Sequence, residues 1–194
     1  GVAGGGRGMF FGDYRTGLGR SPTIEYVTIA TTGDTTDFGD MTQAGNMPAG
    51  VSNGTRAVRG GLTIEPPYTT HDVMDYWTIA TTGDALDFGD LTITKSGSGG
   101  IGNATRGLYM GGHTANALGT QTDVIDYITI ATTGDATDFG DMTESKTKMG
   151  SCSSETRGVR GSGYPSTNVM DYVTVATTGD APDFGDLTVS RNGL

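Results

Sequence analysis

One string constrains this chain more than anything else in it. Thr-Ile-Ala-Thr-Thr-Gly-Asp-x-x-Asp-Phe-Gly-Asp-(Met/Leu)-Thr begins at Thr28, Thr78 and Thr129, and returns at Thr174 with Val175 for Ile. Its first aspartates, Asp34, Asp84, Asp135 and Asp180, lie 50, 51 and 45 residues apart. A second marker, Arg7, Arg56, Arg106 and Arg157, precedes each copy at spacings of 49, 50 and 51. Two markers in a fixed order divide the 194 residues into units of about 1–43, 44–93, 94–144 and 145–194. A unit of this size is one supersecondary element that cannot keep its own apolar face dry and must stack on its copies. The whole chain, 1–194, therefore reads as a single repeat domain.

Each unit reads as four short strands. In the third, 98–102 is small and Gly-rich, 105–110 ends at Gly111-Gly112, 123–131 is rich in Val, Ile and Tyr, and 138–143 closes the unit. Asn53-Gly54 is a two-residue hairpin signal, and Thr-Gly-Asp closes the next hairpin with a glycine free to take positive φ. No helical periodicity interrupts the pattern. The third strand is apolar on both sides, with Met74, Tyr76 and Ala80 alternating against Trp77 and Ile79. A strand covered on both faces lies between two neighbouring sheets. The 34 glycines supplement a hydrophobic content of only 34% and concentrate in the first strands, as expected where backbones converge. The expectation is all-β.

Further residues recur with the period. Gly60-Gly61 and Gly111-Gly112 end the second strand, with Gly12-Asp13 and Gly161-Ser162 departing from the pair. An acidic residue precedes Tyr26, Tyr76, Tyr127 and Tyr172, and Phe38, Phe88, Phe139 and Phe184 open the fourth strand. In this combination the units resemble the kelch repeat, with Phe where kelch proteins usually place Trp, and the resemblance covers the whole chain. The longer string is similar to the kelch-like repeats of marine cyanophage structural proteins. The resemblance implies a β-propeller of four four-stranded blades and a virion or extracellular setting. A ring closed by the four blades is the expectation. An eight-bladed ring completed by a second chain, or a segment of a larger ring, are the alternatives.

Strand order then assigns the loops to two faces. On one lie the acidic turns, which hold twelve of the 22 acidic residues. Asp34, Asp84, Asp135 and Asp180 are the candidates for a calcium site, since hard cations want several oxygens. The favoured reading is structural, with aspartates making turns and pairing with Arg7, Arg56, Arg106 and Arg157. On the other face the connections vary in length and wording. They carry Tyr14, Arg15, Tyr68, His71, His113 and Tyr164, together with Lys95, Lys146 and Lys148. Variable loops on a rigid scaffold are where binding concentrates, and tyrosines among Asn, Ser and Thr suit glycans or a protein partner. Plain solvated loops are the competing reading.

Other functions are disfavoured. A net charge of −10 argues against nucleic acid or an anionic membrane as partner. No segment approaches a membrane span, and the N-terminus has neither the basic start nor the apolar run of a signal peptide. It also lacks an initiator Met, so the chain is expected to be processed or part of something longer. Cys152 is the single cysteine, which excludes an internal disulfide. Copper oxidases with kelch propellers need converging His and Tyr ligands and a modified Cys-Tyr pair, which these residues do not offer. The four arginines, one per unit, are better explained structurally than as a sialidase triad. No Lys-Ser/Thr follows the Gly-rich runs, and two histidines in variable loops define no Ser-His-Asp order. The expectation is a protein without catalysis or cofactor, whose partners are a host glycan or protein, other virion proteins, or further copies of itself. A purely structural spacer is the alternative; a glycan-processing enzyme is the weaker one.

Overall fold

A computed structural model of the chain describes residues 1–15, 19–65, 67–114 and 120–193, with the backbone alone for 13–15. Sixteen strands form four four-stranded antiparallel sheets, each drawn from one repeat and ordered as in the chain. Blade one holds β1 (Val2–Gly4), β2 (Arg7–Arg15), β3 (Gly19–Thr28) and β4 (Thr36–Asp40). Blade two holds β5 (Ala49–Ser52), β6 (Arg56–Ile64), β7 (Thr69–Thr78) and β8 (Leu86–Asp90). Blade three holds β9 (Gly99–Gly102), β10 (Arg106–His113), β11 (Gln121–Thr129) and β12 (Thr137–Asp141). Blade four holds β13 (Gly150–Ser153), β14 (Arg157–Gly161), β15 (Thr167–Thr174) and β16 (Asp183–Arg191). The fold is an all-β propeller-like array, and no helix occurs among the described residues.

Local chemistry sets the strand ends. Asn53 Oδ1 accepts hydrogen bonds from the amides of Thr55 and Arg56 at 3.0 and 2.8 Å, fixing the β5–β6 turn, and Asn103 does the same in blade three. The second strand does not stop at the glycine pair. It bulges there and, in blade three, runs on to His113. The left-handed residues at the bulge are Gly12, Gly61 and Gly111, with φ of 72°, 64° and 57°. Counting from the marker arginines, the fourth is Ser162, with φ 68°. The paired glycines of the sequence are thus one residue out of step between repeats. At Gly61 a Cβ would stand 2.2 Å from the Lys95 carbonyl oxygen, so both space and φ require glycine.

The core is divided among the junctions between blades. Met9, Ile24, Phe38 and Met41 of blade one pack on Ala57, Trp77, Ile79 and Ala85 of blade two. Val58, Met74, Phe88 and Leu91 then meet Tyr109, Ile128 and Ile130. Leu108, Ile125, Phe139 and Met142 meet Val173, Val175 and Ala181. Each blade thus has a forward face, towards the next repeat, and a backward face, towards the previous one. Burying an aliphatic residue such as Ile79 or Val175 contributes about 1.5–3 kcal/mol. Within every blade a tyrosine meets the forward phenylalanine edge to face, as Tyr76 meets Phe88 at 5.9 Å between centroids.

Hydrogen bonds repeat with the same period. The amides of Gly83 and Ala85 donate to the carbonyls of Phe38 and Asp40, both at 2.8 Å. Gly134 and Ala136 repeat this on Phe88 and Asp90, and Gly179 and Ala181 on Phe139 and Asp141. The corresponding bonds from Gly33 and Thr35 to Phe184 and Asp186, which would join blade four to blade one, are not formed.

Candidate functional site

The marker arginines do not pair with the acidic turns. The guanidinium carbons of Arg7, Arg56 and Arg157 stand 4.3 Å above the rings of Tyr26, Tyr76 and Tyr172, and that of Arg106 stands 4.6 Å above Tyr127. Their N–H groups reach carbonyls of the following blade: Arg7 to Ile79 at 2.7 Å, Arg56 to Ala131 at 2.9 Å, Arg106 to Val175 at 3.2 Å. A carbonyl just past the end of the next blade's third strand accepts these N–H groups in place of a carboxylate.

Three of the four lead carboxylates are occupied. Asp84 Oδ1 accepts the Asp40 amide at 3.0 Å, Asp135 the Asp90 amide at 3.1 Å, and Asp180 the Asp141 amide at 3.1 Å. The calcium candidates Asp84, Asp135 and Asp180 therefore serve as clips between blades, and among the described residues no three acidic, His or Cys side chains gather to hold a metal ion. Crowding still registers. Partial burial first, then Asp72, Asp135 and Asp87, push the Asp90 carboxyl up, and Asp141 is pushed up by burial, Asp123, Asp180 and Asp138.

A second set of charges escapes the sequence reading because it is buried. Arg59 Nε donates to Asp75 Oδ2 at 2.8 Å, and Arg160 does the same to Asp171. Each acid also accepts from a threonine of the preceding blade, Thr42 and Thr143. Blade three has Tyr109 where the arginine would stand, opposite Asp126. The cation arrives instead from the preceding connection. Lys95 Nζ lies 2.9 Å from Asp126 Oδ2 and donates to the carbonyls of Tyr109 and Val124, both at 3.0 Å, while Thr92 completes the set. Lys95 is thus no loop cation. Burial lowers its pKa and Asp126 acts against that shift.

The variable face divides in the same way. His113 is 4% exposed and sits between blades: its ring nitrogens lie 3.0 Å from Ser96 Oγ, 3.4 Å from Thr147 Oγ1 and 3.5 Å from Thr63 Oγ1. Burial, then Lys148, pulls its pKa below the ordinary 6.5. That places it in the scaffold between blades two, three and four. Tyr68 and Tyr164 project instead, at 53% and 39% exposure, and His71 is half-buried with Nε2 3.1 Å from Thr69 Oγ1. The side chains of Tyr14 and Arg15 lie outside the described residues. No hydrogen bond or ring contact links Tyr68, His71 and Tyr164, which stand on blades two and four.

These loops are braced from blade to blade. Arg20 and Glu65 form an ion pair at 3.0 Å, and Thr70 Oγ1 donates to the Thr114 carbonyl at 3.1 Å. Surface clefts recur on the opposite face in blades two, three and four, each bordered by the stacked tyrosine and the Thr-Gly-Asp loop, as with Tyr127, Thr132 and Asp135. No family model matches this chain, and no curated protein matches it.

Proposed function

We propose that this protein is a non-enzymatic, kelch-like binding module of a virion or cell-exterior particle, recognising a host glycan or protein through its variable loops. The observation that carries the reading is the division of labour among aromatic side chains. The repeated tyrosines 26, 76, 127 and 172 are absorbed in arginine stacks, whereas Tyr68 and Tyr164 stand out from non-repeated loops. A broad ring with a hydroxyl at its tip contributes stacking area and a hydrogen bond at low conformational entropy cost. The braces at Arg20–Glu65 and Thr70–Thr114 limit loop motion, which lowers the entropy lost on binding. The virion setting rests on the resemblance of the repeated string to cyanophage kelch-like repeats.

The test is a glycan array and a host-surface pull-down with the full chain, repeated for Tyr68→Ala and Tyr164→Ala. A ligand bound by the wild type and weakened in the variants, at unchanged melting temperature, supports the proposal. A ligand retained in full by both variants, or no ligand in either assay, removes it.

A further inference from the structure

We infer that the forward face of blade four docks on the backward face of blade one of a second copy of this chain, head to tail, re-using the junction that already joins blades within the molecule. The two end faces carry the unused halves of one interlock. Phe184 is 46% exposed, whereas Phe38, Phe88 and Phe139 are each 2% exposed. At the other end Ile29 is 61% exposed, whereas Ile79, Ile130 and Val175 are completely buried. Both end residues keep the positions their counterparts hold; what they lack is the neighbour.

The polar groups match in the same sense. The carbonyls of Phe184 and Asp186 and the amides of Gly33 and Thr35 are the acceptors and donors that every internal junction pairs. The Asp34 carboxylate has no counterpart of the Asp40 amide, and the Asp186 amide has no counterpart of the Asp84 carboxylate. Arg157 is stacked on Tyr172 like the other arginines, and the acceptor they find in Ile79 or Val175 would be Ile29 of the next copy.

Steric fit agrees. Val51 nests on Gly107 and Ile101 on Gly158, where a Cβ would stand 2.4 Å from the neighbour's side chain. Gly8 holds that place in blade one, and only its own blade's Val27 and Ile29 lie near it. The residue aligned with Val51 and Ile101 in the last inner strand is Cys152, which is exposed.

The charges agree as well. Blade one has Phe10 opposite Glu25, as blade three has Tyr109 opposite Asp126. In blade three the counter-charge is Lys95, three residues beyond Thr92 of the preceding blade. Three residues beyond Thr188 of blade four stands Arg191, exposed and holding only the Val189 carbonyl at 3.4 Å. Here β16 runs on through Thr188 to Arg191, paired with Thr167 of its own blade, and the end of that strand is the source of a counter-charge for Glu25 of the next copy. Since the two halves lie on opposite ends, the contact is heterologous, and copies join in series until the array closes.

Light scattering and sedimentation of the full chain give the direct reading. Wild type is expected at a multiple of the 20.0 kDa chain mass. Ile29→Asp and Phe184→Asp are each expected at the single-chain mass, and an equimolar mixture of the two to recover a two-chain species, because each retains the half that the other lacks. Alkylation of Cys152 is expected to slow at least tenfold in assembled wild type relative to Phe184→Asp. Should either variant fail to fold, Glu25→Arg and Arg191→Glu replace them, each weakening assembly and the double charge reversal restoring it. Wild type at single-chain mass at its highest soluble concentration overturns the inference. So does assembly that survives the end-face variants, or that is lost in only one of them, which is the pattern of like faces pairing.

Discussion

The Asp40 amide donates to the Asp84 carboxylate across the first junction, at 3.0 Å, and this single bond explains why the repeated string begins its turn with aspartate. The same residue type supplies the backbone donor in one blade and the acceptor in the next. An acidic loop on the surface is thereby a fastening between sheets.

Asp135→Ala removes the second of these fastenings and leaves the Asp90 amide with water. A hydrogen bond this exposed contributes about 1 kcal/mol, so the melting temperature should fall by about 2–4 °C. Asp135→Asn keeps an acceptor oxygen and should recover most of that loss. Because Asp135 is one of the charges that push the Asp90 carboxyl up, both variants should lower the Asp90 pKa in a carboxylate titration followed by NMR.

Lys95→Met strips the cation from the buried Asp126. An uncompensated buried carboxylate costs about 3–5 kcal/mol, and chemical denaturation should show a loss in that range. Lys95→Met combined with Asp126→Leu should recover much of it, since a buried pair replaced by apolar groups is close to neutral.

Acid should destabilise the protein through His113. Its folded pKa lies below the ordinary 6.5, so the unfolded chain binds the proton more readily. The contribution is complete above pH 6.5 and is lost as the pH falls from there through the depressed folded value. His113→Gln should flatten the melting temperature profile over that window. Asp90 and Asp141, pushed up from 3.8, act with opposite sign and only in the carboxylate range, where stability falls as the pH rises.

Ser162→Gly should stabilise. Ser162 occupies a left-handed conformation that glycine adopts freely, and its buried hydroxyl has no hydrogen-bond partner. A gain of about 1 kcal/mol, or about 2–4 °C in melting temperature, is expected from a thermal scan.

The period, the four strands per unit and the two-sided third strand were legible in the sequence because each leaves a mark in residue order. Partners across junctions were not. Residue order offers the conspicuous aspartates as partners for the arginines, although the tyrosines recur with the same period and receive them. Lys95, between Thr94 and Ser96, reads as a solvated connection; its burial follows from the absence of an arginine in blade three, visible as Tyr109 where Arg59 and Arg160 stand. His113 looked like a loop residue because the strand continues past its glycines through a bulge. Tyr68 and Tyr164 sit on the connections between second and third strands, whereas His71 lies within β7, paired with Leu62, because the strand extends further than the wording of the connection suggests.

Amide hydrogen exchange tests the junction architecture most directly, because it reads the interlocking bonds one by one. Gly83 and Ala85, Gly134 and Ala136, and Gly179 and Ala181 lie in loops, yet all should exchange as slowly as the strands they bond to. Exchange of Gly134 and Ala136 at the rate of an unbonded loop amide would show that adjacent sheets do not hold each other, and would contradict the fold as described.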